Sequence, residues 1–387
     1  MKRVIFFICI TLIFLLAIKL SVRILHEYIW VWIYAFIFFY TITISLIFKK
    51  KYLKFGALHF SFVMTTFVFM AFSIYEGYLV YNSLHGSSTS GLKRGGGYTS
   101  NYFKPDTLLV YGPDKGGIYT SIECEKHDTI YNVSYTIKNH HRLTPNSNDS
   151  SKNCILFFGC SFAFGEGLND NETLPYYYNE IDSNRNAILN YAFHGYGPHQ
   201  MLANIEYRVS DDIKNYSGKK IAIYSALYAH IKRSAGKADW DKRGPNYQMV
   251  DGELKYTGSF DYSKYYYTRV IKEVQSRSLL YKMLINNIQI TNDDKEQYLE
   301  ILKKTNKIFK EKNIPFYILI NDNVDKNDDF NFLTTELKKY AINYIFVSDA
   351  ISSNDIKKYA ISKYDNHPNG LCNKVVAELL YKRIHSH

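Results

Sequence analysis

Cysteine is scarce in this chain, five residues in 387, and no two stand in a CxxC pair or at a metal-binding spacing. That excludes a zinc-ribbon or thioredoxin-type centre. Also missing are a GK[ST] phosphate loop, an HExxH helix and a GxGxxG fingerprint, so nucleotide, metal and cofactor chemistry have no positive support. The formal net charge is +11, yet the lysines are scattered among Asn, Tyr and Ile with no basic stripe, which argues against nucleic acid as a partner. An acidic glycan or lipid surface suits such a charge better. Of the cysteines, Cys9 lies in an apolar segment, leaving Cys124, Cys154, Cys160 and Cys372 for the remainder. A disulfide among those is open if that part lies outside the cytoplasm; Cys154 reads equally as a buried, apolar thiol.

What the chain has in excess is apolar and aromatic residues, 47% and 17%, much of both in the first eighty or so positions. Residues 4–18, 28–48 and 55–75 are uncharged, and the last two match the roughly 20 residues that cross a bilayer. The first is shorter, with Lys19 and Arg23 placed to snorkel. Trp30, Trp32, Tyr34, Tyr75 and Tyr78 mark segment ends as interfacial aromatics do. We therefore expect three transmembrane helices in residues 1–81. The loop 49–54, KKKYLK, is expected on the cytoplasmic side, which puts the N-terminus inside and everything after residue 81 outside.

Residues 82–101 are rich in Gly and Ser and read as a flexible linker. A small β-rich lead-in over 102–150 follows, because residues 129–137 alternate between Tyr131, Val133, Tyr135, Ile137 and the polar side of the strand. His140 and His141 after it read as solvated loop residues. From 151 to 387, short apolar runs at 154–158, 187–191, 220–226, 315–320 and 344–347 alternate with helical patterns near 200–210, 265–287, 294–312, 330–340 and 370–384. Such alternation predicts an α/β domain with a doubly wound, five-stranded parallel sheet. Residues 233–267 break the rhythm with glycines, Trp240 and many tyrosines; a substrate-lining insertion and a plain surface excursion fit about equally.

The domain is organised around residues 157–167, FFGCSFAFGEG, where an apolar run halts at Gly159 and presents Ser161 on a glycine-framed turn. That places Ser161 just past the carboxyl end of a buried strand, where open α/β sheets put their ligands. A serine there can expose its hydroxyl while backbone N–H groups face the atom that it attacks. Residues 190–199, NYAFHGYGPH, put Gly195 and Gly197 at a second strand end, and residues 365–370, DNHPNG, precede the last helix.

With these three blocks in order, the chain from about residue 153 onward resembles the SGNH (GDSL-like) hydrolases, serine esterases and acyltransferases with a flavodoxin-like sheet. The resemblance implies that Ser161 is the nucleophile, with cysteine at 160 in place of the family's aspartate. It implies that Asp365 and His367 complete the triad as a DxH block, and that Ser161 and Gly195 give oxyanion N–H groups. The family's third block, GxND, is lacking: residues 220–226 run into LYAHIKR, with no Asn at the turn and His230 as a substitute donor. His194 and His199 flank the second block without an assigned role.

The function expected is a bacterial, inner-membrane-tethered, extracytoplasmic esterase removing O-acyl groups, O-acetyl above all, from an envelope or exported polysaccharide. Two alternatives stay open. One is an O-acyltransferase of the same fold with a membrane acyl-donor protein as partner; the other is an inactive glycan-binding or assembly module, motivated by Cys160 and the missing Asn.

Overall fold

The computed structural model describes residues 102–125, 128–150, 152–238, 240–261, 290–324, 330–352 and 355–386, the strand Leu92–Gly96, and short helical pieces within 35–41, 64–79 and 278–280. Two compact units emerge, Met1–Thr89 with Ser263–Gln289, and Ser90–Tyr262 with Ile290–His387. In the first unit, the expected span 4–18 lies outside the described residues, as do most of 28–48 and 55–75 and of the helix expected at 265–287. Their described pieces are helical. Among the described residues, no helix is long and apolar enough to cross a membrane. Glu76, 1% exposed, accepts from the backbone N–H groups of Leu279 and Leu280 at 2.7 and 2.8 Å and from the Ser278 hydroxyl at 3.1 Å. The carboxylate thus takes up donors that a helix start leaves unpaired.

The second unit opens with β1 (Leu92–Gly96), the hairpin β2 (Phe103–Asp106) and β3 (Val110–Pro113), then β4 (Gly116–Glu125), β5 (Asp128–Lys138) and β6 (His141–Arg142). β1, β4, β5 and β6 form one antiparallel sheet in that order. The linker expected over 82–101 is corrected here: Leu92–Gly96 pairs with the edge of β4. Edge pairing uses backbone N–H and C=O groups alone, so composition gives no warning of it. Tyr131, Val133, Tyr135 and Ile137 are all buried, as the alternation along β5 requires.

The main sheet consists of β7 (Asn153–Phe158), β8 (Asn186–Asn190), β9 (Lys220–Ala226), β12 (Phe316–Ile320) and β13 (Asn343–Phe346), all parallel, in the order β13-β12-β9-β7-β8. A hairpin of β10 (Pro245–Val250) and β11 (Glu253–Ser259) intervenes in sequence. Period two explains why β7 is apolar along almost its whole length. Cys154, Leu156 and Phe158 enter the core on one face, while Ile155 and Phe157 enter the core on the other. Burial on both faces favours apolar residues, and the polar ones that are buried, Asn186, Asn190 and Ser225, lie at or beside strand ends.

Helices cover both faces: α1 (Ser161–Phe164), α2 (Leu174–Ile181), α3 (Pro198–Asn204), α4 (Ala229–Ser234), α5 (Asn292–Glu311), α6 (Asn331–Lys339) and α7 (Gly370–His385). α5 starts where Thr291 accepts from the Asp294 N–H at 3.2 Å and Asp294 accepts back from the Thr291 N–H at 2.8 Å, a reciprocal cap. The unit boundaries differ from those expected: the lead-in and the sheet domain share one compact unit, and residues 263–289 group with the N-terminal part. Tyr102, Tyr131 and Tyr135 share a buried cluster with Phe164 and Phe193, which explains that union. The disulfide left open by the sequence does not form, since Cys124, Cys154, Cys160 and Cys372 are all free.

Candidate active site

β7 ends at Phe158, and Gly159 follows with φ of 150°, a backbone state that side chains disfavour. A Cβ there would come within 3.1 Å of Ala163 Cβ and of the Ser225 carbonyl. The close approach packs α1 directly beyond the strand, so Ser161 opens the helix. Cys160, wholly buried, points inward, where a thiol is at less cost than a carboxylate. The Ser161 N–H, at the first turn of α1, is one of those a helix start leaves without an intrahelical partner.

Asp365 and His367 arrive on β15 (Asp365–Pro368), which pairs antiparallel with β14 (Ala360–Ser362). Asp365 Oδ1 accepts the backbone N–H of His367 at 2.9 Å and lies 2.5 Å from its Nδ1. A two-residue step lets one carboxylate oxygen hold both the main chain and the ring of the same histidine, fixing its rotamer. Nε2 then faces Ser161 Oγ at 2.8 Å. Asn369, next but one, accepts from the Cys372 N–H at 2.9 Å and so caps α7, anchoring the block from behind. Ser161, His367 and Asp365 are therefore brought together across 206 positions of sequence.

Gly195 stands after β8 with φ of 73°. Its carbonyl accepts from the Trp240 indole at 3.2 Å, and a Cβ would fall 2.6 Å from the Tyr111 hydroxyl. The segment is tied to the serine turn by the Phe193 N–H, 3.3 Å from the Gly159 carbonyl, and by Asn190, whose amide donates to the Ala163 carbonyl at 3.0 Å. His230, the substitute donor, lies inside the domain. It is fully buried, its Nδ1 accepts from the Leu227 N–H at 3.3 Å and lies 2.6 Å from the Tyr224 hydroxyl, and burial pushes its pKa well below the usual value. The ring is neutral with its proton on Nε2, an atom sealed from solvent.

Two residues that the sequence reading left without a role stand closest to the triad. Glu166, 3% exposed, places Oε2 3.5 Å from His367 Nε2 and 2.7 Å from His194 Nδ1. The other nitrogen of His194 meets the Tyr102 hydroxyl. A signal was present: Glu166 is an acid between two glycines inside an otherwise apolar turn. His199 is buried against Asp241, Nε2 to Oδ2 2.5 Å, and ties α3 to the 233–267 insertion. His141 is drawn down to a pKa of about 4 by burial, and its partner His140 reaches the Pro113 carbonyl at 3.2 Å. Among the described residues, no cluster of His, Cys, Asp and Glu could hold a metal ion.

The parallel sheet, the serine turn after β7 and the Asp365–His367 pair before the last helix bring a Ser–His–Asp chain of contacts to the carboxyl rim, an arrangement similar to that of SGNH, or GDSL-like, hydrolases. No family model and no curated protein matches the chain. Among solved structures it overlaps a candidate lipolytic protein of the G-D-S-L family from Desulfitobacterium hafniense DCB-2, at 10% identity and a TM-score of 0.35, over 59% of this chain and 98% of that one. It also overlaps a candidate GDSL-like lipase from Parabacteroides merdae ATCC 43184, at 11% identity and a TM-score of 0.34, over 62% of this chain and 99% of that one. So loose an overlap carries no argument about the reaction, which is read from the site's own geometry.

Proposed function

We propose that the protein is a serine esterase that removes O-acyl groups, chiefly acetyl, from an envelope or exported polysaccharide, working outside the cytoplasm from a membrane tether. The observation that carries the chemistry is the chain of contacts from Ser161 Oγ through His367 to Asp365, at 2.8 and 2.5 Å. His367 takes the hydroxyl proton as Oγ attacks the ester carbonyl; Asp365 steadies the imidazolium; the N–H groups of Ser161 and Gly195 receive the oxyanion. His367 then returns the proton to the departing sugar oxygen, leaving acyl-Ser161. Histidine suits both transfers because its ordinary pKa lies near neutral pH.

The substrate class is supported by the site's surroundings. Trp240 is 55% exposed beside Gly195, with the Arg233 guanidinium over its ring at 5.5 Å. A fixed indole with open area is the kind of surface on which a sugar ring packs. The tether and the side of the membrane are supported by the apolar segments and the lysine-rich loop of the sequence.

The test uses the full chain. A fluorophosphonate probe is expected to label the wild type and not Ser161→Ala, and the wild type alone is expected to release acetate from acetylated polysaccharide. A folded wild type that neither labels nor releases acetate would sink the esterase reading in favour of a binding module.

A further inference from the structure

The catalytic imidazole has a second carboxylate beside it, on the side away from Asp365. Glu166 follows Ser161 by five positions and is held between Gly165 and Gly167, whose φ values of 86° and 76° turn the chain back on itself. Its own N–H donates to the Ser161 carbonyl at 3.0 Å, so the turn is locked to the serine. Arg142, also buried, pins the same turn by donating to the carbonyls of Phe164, Gly165 and Leu168 at 2.8, 2.5 and 2.5 Å. A carboxylate buried this deeply needs a partner. His194 supplies it at 2.7 Å, within an aromatic surround that includes Phe164 and Phe193, ring centroids 4.4 and 5.1 Å from its own. The pair is rigid, and it aims Oε2 at His367 Nε2.

The 3.5 Å between Oε2 and Nε2 is long for a direct hydrogen bond and short enough for both to share a third atom. An oxygen about 2.8 Å from each would see them at roughly 80°, which the two O–H bonds of water can reach with modest bending. We propose that Glu166 positions the water that resolves the acyl-enzyme and so directs the second step to hydrolysis. This rests on the acyl-enzyme reading above. The water oxygen bonds to the acyl carbon; one proton passes to His367 Nε2, and the other stays on the oxygen, hydrogen-bonded to Glu166. The carbon–Oγ bond then breaks as Nε2 returns its proton to Oγ, leaving a carboxylic acid and free Ser161.

An alcohol has one hydroxyl proton to give. With that proton directed at Nε2, an alkyl group faces the buried carboxylate and strips it of a hydrogen-bonding partner, a mismatch that corresponds to roughly tenfold or more in favour of water. The same geometry that speeds hydrolysis therefore disfavours transfer.

The experiment reads a product ratio, which a general loss of activity does not move. The full chain turns over p-nitrophenyl acetate in buffered methanol, and methyl acetate is measured against acetate. Glu166→Gln is expected to raise that ratio about tenfold. Glu166→Asp withdraws the carboxylate by one methylene and is expected to raise it as well; His194→Asn, which removes only the anchor, should raise it less. Fluorophosphonate labelling identifies the variants with an intact Ser161 site, and the Asp and His194 variants decide the matter if the Gln protein does not fold. An unchanged ratio in labelled Glu166 variants overturns the proposal and leaves the acyl-enzyme reading standing. A wild type that neither labels nor turns over ester removes both.

Discussion

At the scale of single residues, Asp365 does two jobs with one oxygen, and they can be separated. Asparagine in its place still accepts the His367 backbone N–H through its amide oxygen, so the strand end is kept. It loses the charge that stabilises the imidazolium. We expect Asp365→Asn to leave unfolding unchanged and to lower ester turnover by about 10²- to 10⁴-fold, measured as kcat. His230 makes a prediction of a different kind. Buried neutral, its folded pKa lies below the ordinary value near 6.5, so protons favour the unfolded chain as pH falls through that value. Its stabilising share is complete above about pH 6.5 and declines below it, by up to about 1.4 kcal/mol per pH unit. His141, at about 4, adds a contribution of the same sign. Denaturant unfolding at pH 7, 6 and 5 should show a shallower acid decline in His230→Asn than in the wild type, and equal slopes would refute the assignment.

At the scale of elements, the site depends on caps and turns more than on the strands that carry it. Asn369 caps α7 and also donates to the Lys358 and Ala360 carbonyls at 2.9 and 3.0 Å, which holds the DxH strand against its neighbour. Alanine there is expected to cost about 1 kcal/mol in stability and to reduce turnover further, by loosening His367. Arg142→Met strikes harder: it removes a buried guanidinium that donates to the Phe164, Gly165 and Leu168 carbonyls and to Asp170, at a cost of about 3–5 kcal/mol by urea denaturation. The five sheet strands were legible because each is a short, mainly apolar run, and the triad because its three blocks sit at strand ends. The β10–β11 hairpin was not, although Asp251-Gly252, with φ of 54° and 77°, is the turn such hairpins favour. Its strands, half exposed and polar, offer no alternation to read. Glu166 carried only a faint local mark, an acid between two glycines; what gives it a role is the nearness of His367 and His194, contacts that no local pattern encodes.

At the scale of the whole molecule, the antiparallel lead-in is part of the catalytic unit. Tyr135 accepts the Gly167 N–H at 2.9 Å, Arg142 grips the serine turn, and Tyr102 reaches His194. A chain begun at residue 151 would therefore expose Phe164 and Phe193 and release Glu166 from its setting. We expect it to bind a dye for apolar surface, to lose near-ultraviolet dichroism and to show no fluorophosphonate labelling; labelling at the wild-type rate would show the sheet domain to be self-sufficient. The same view explains why the expected boundary at 150 differs from the observed unit. Composition changes there, but the side chains of β5 pack onto α1 and the segment after β8.

The strand Leu92–Gly96 completes the outer margin of β4 along five paired positions. Nicked or peeled away, it would bare the backbone edge of β4 over Ser121–Glu125, open to an equivalent strand from a second molecule. Protease treatment confined to that stretch should thus convert a dispersed protein into one that self-associates, with Ser161, His367 and Asp365 still assembled inside each copy.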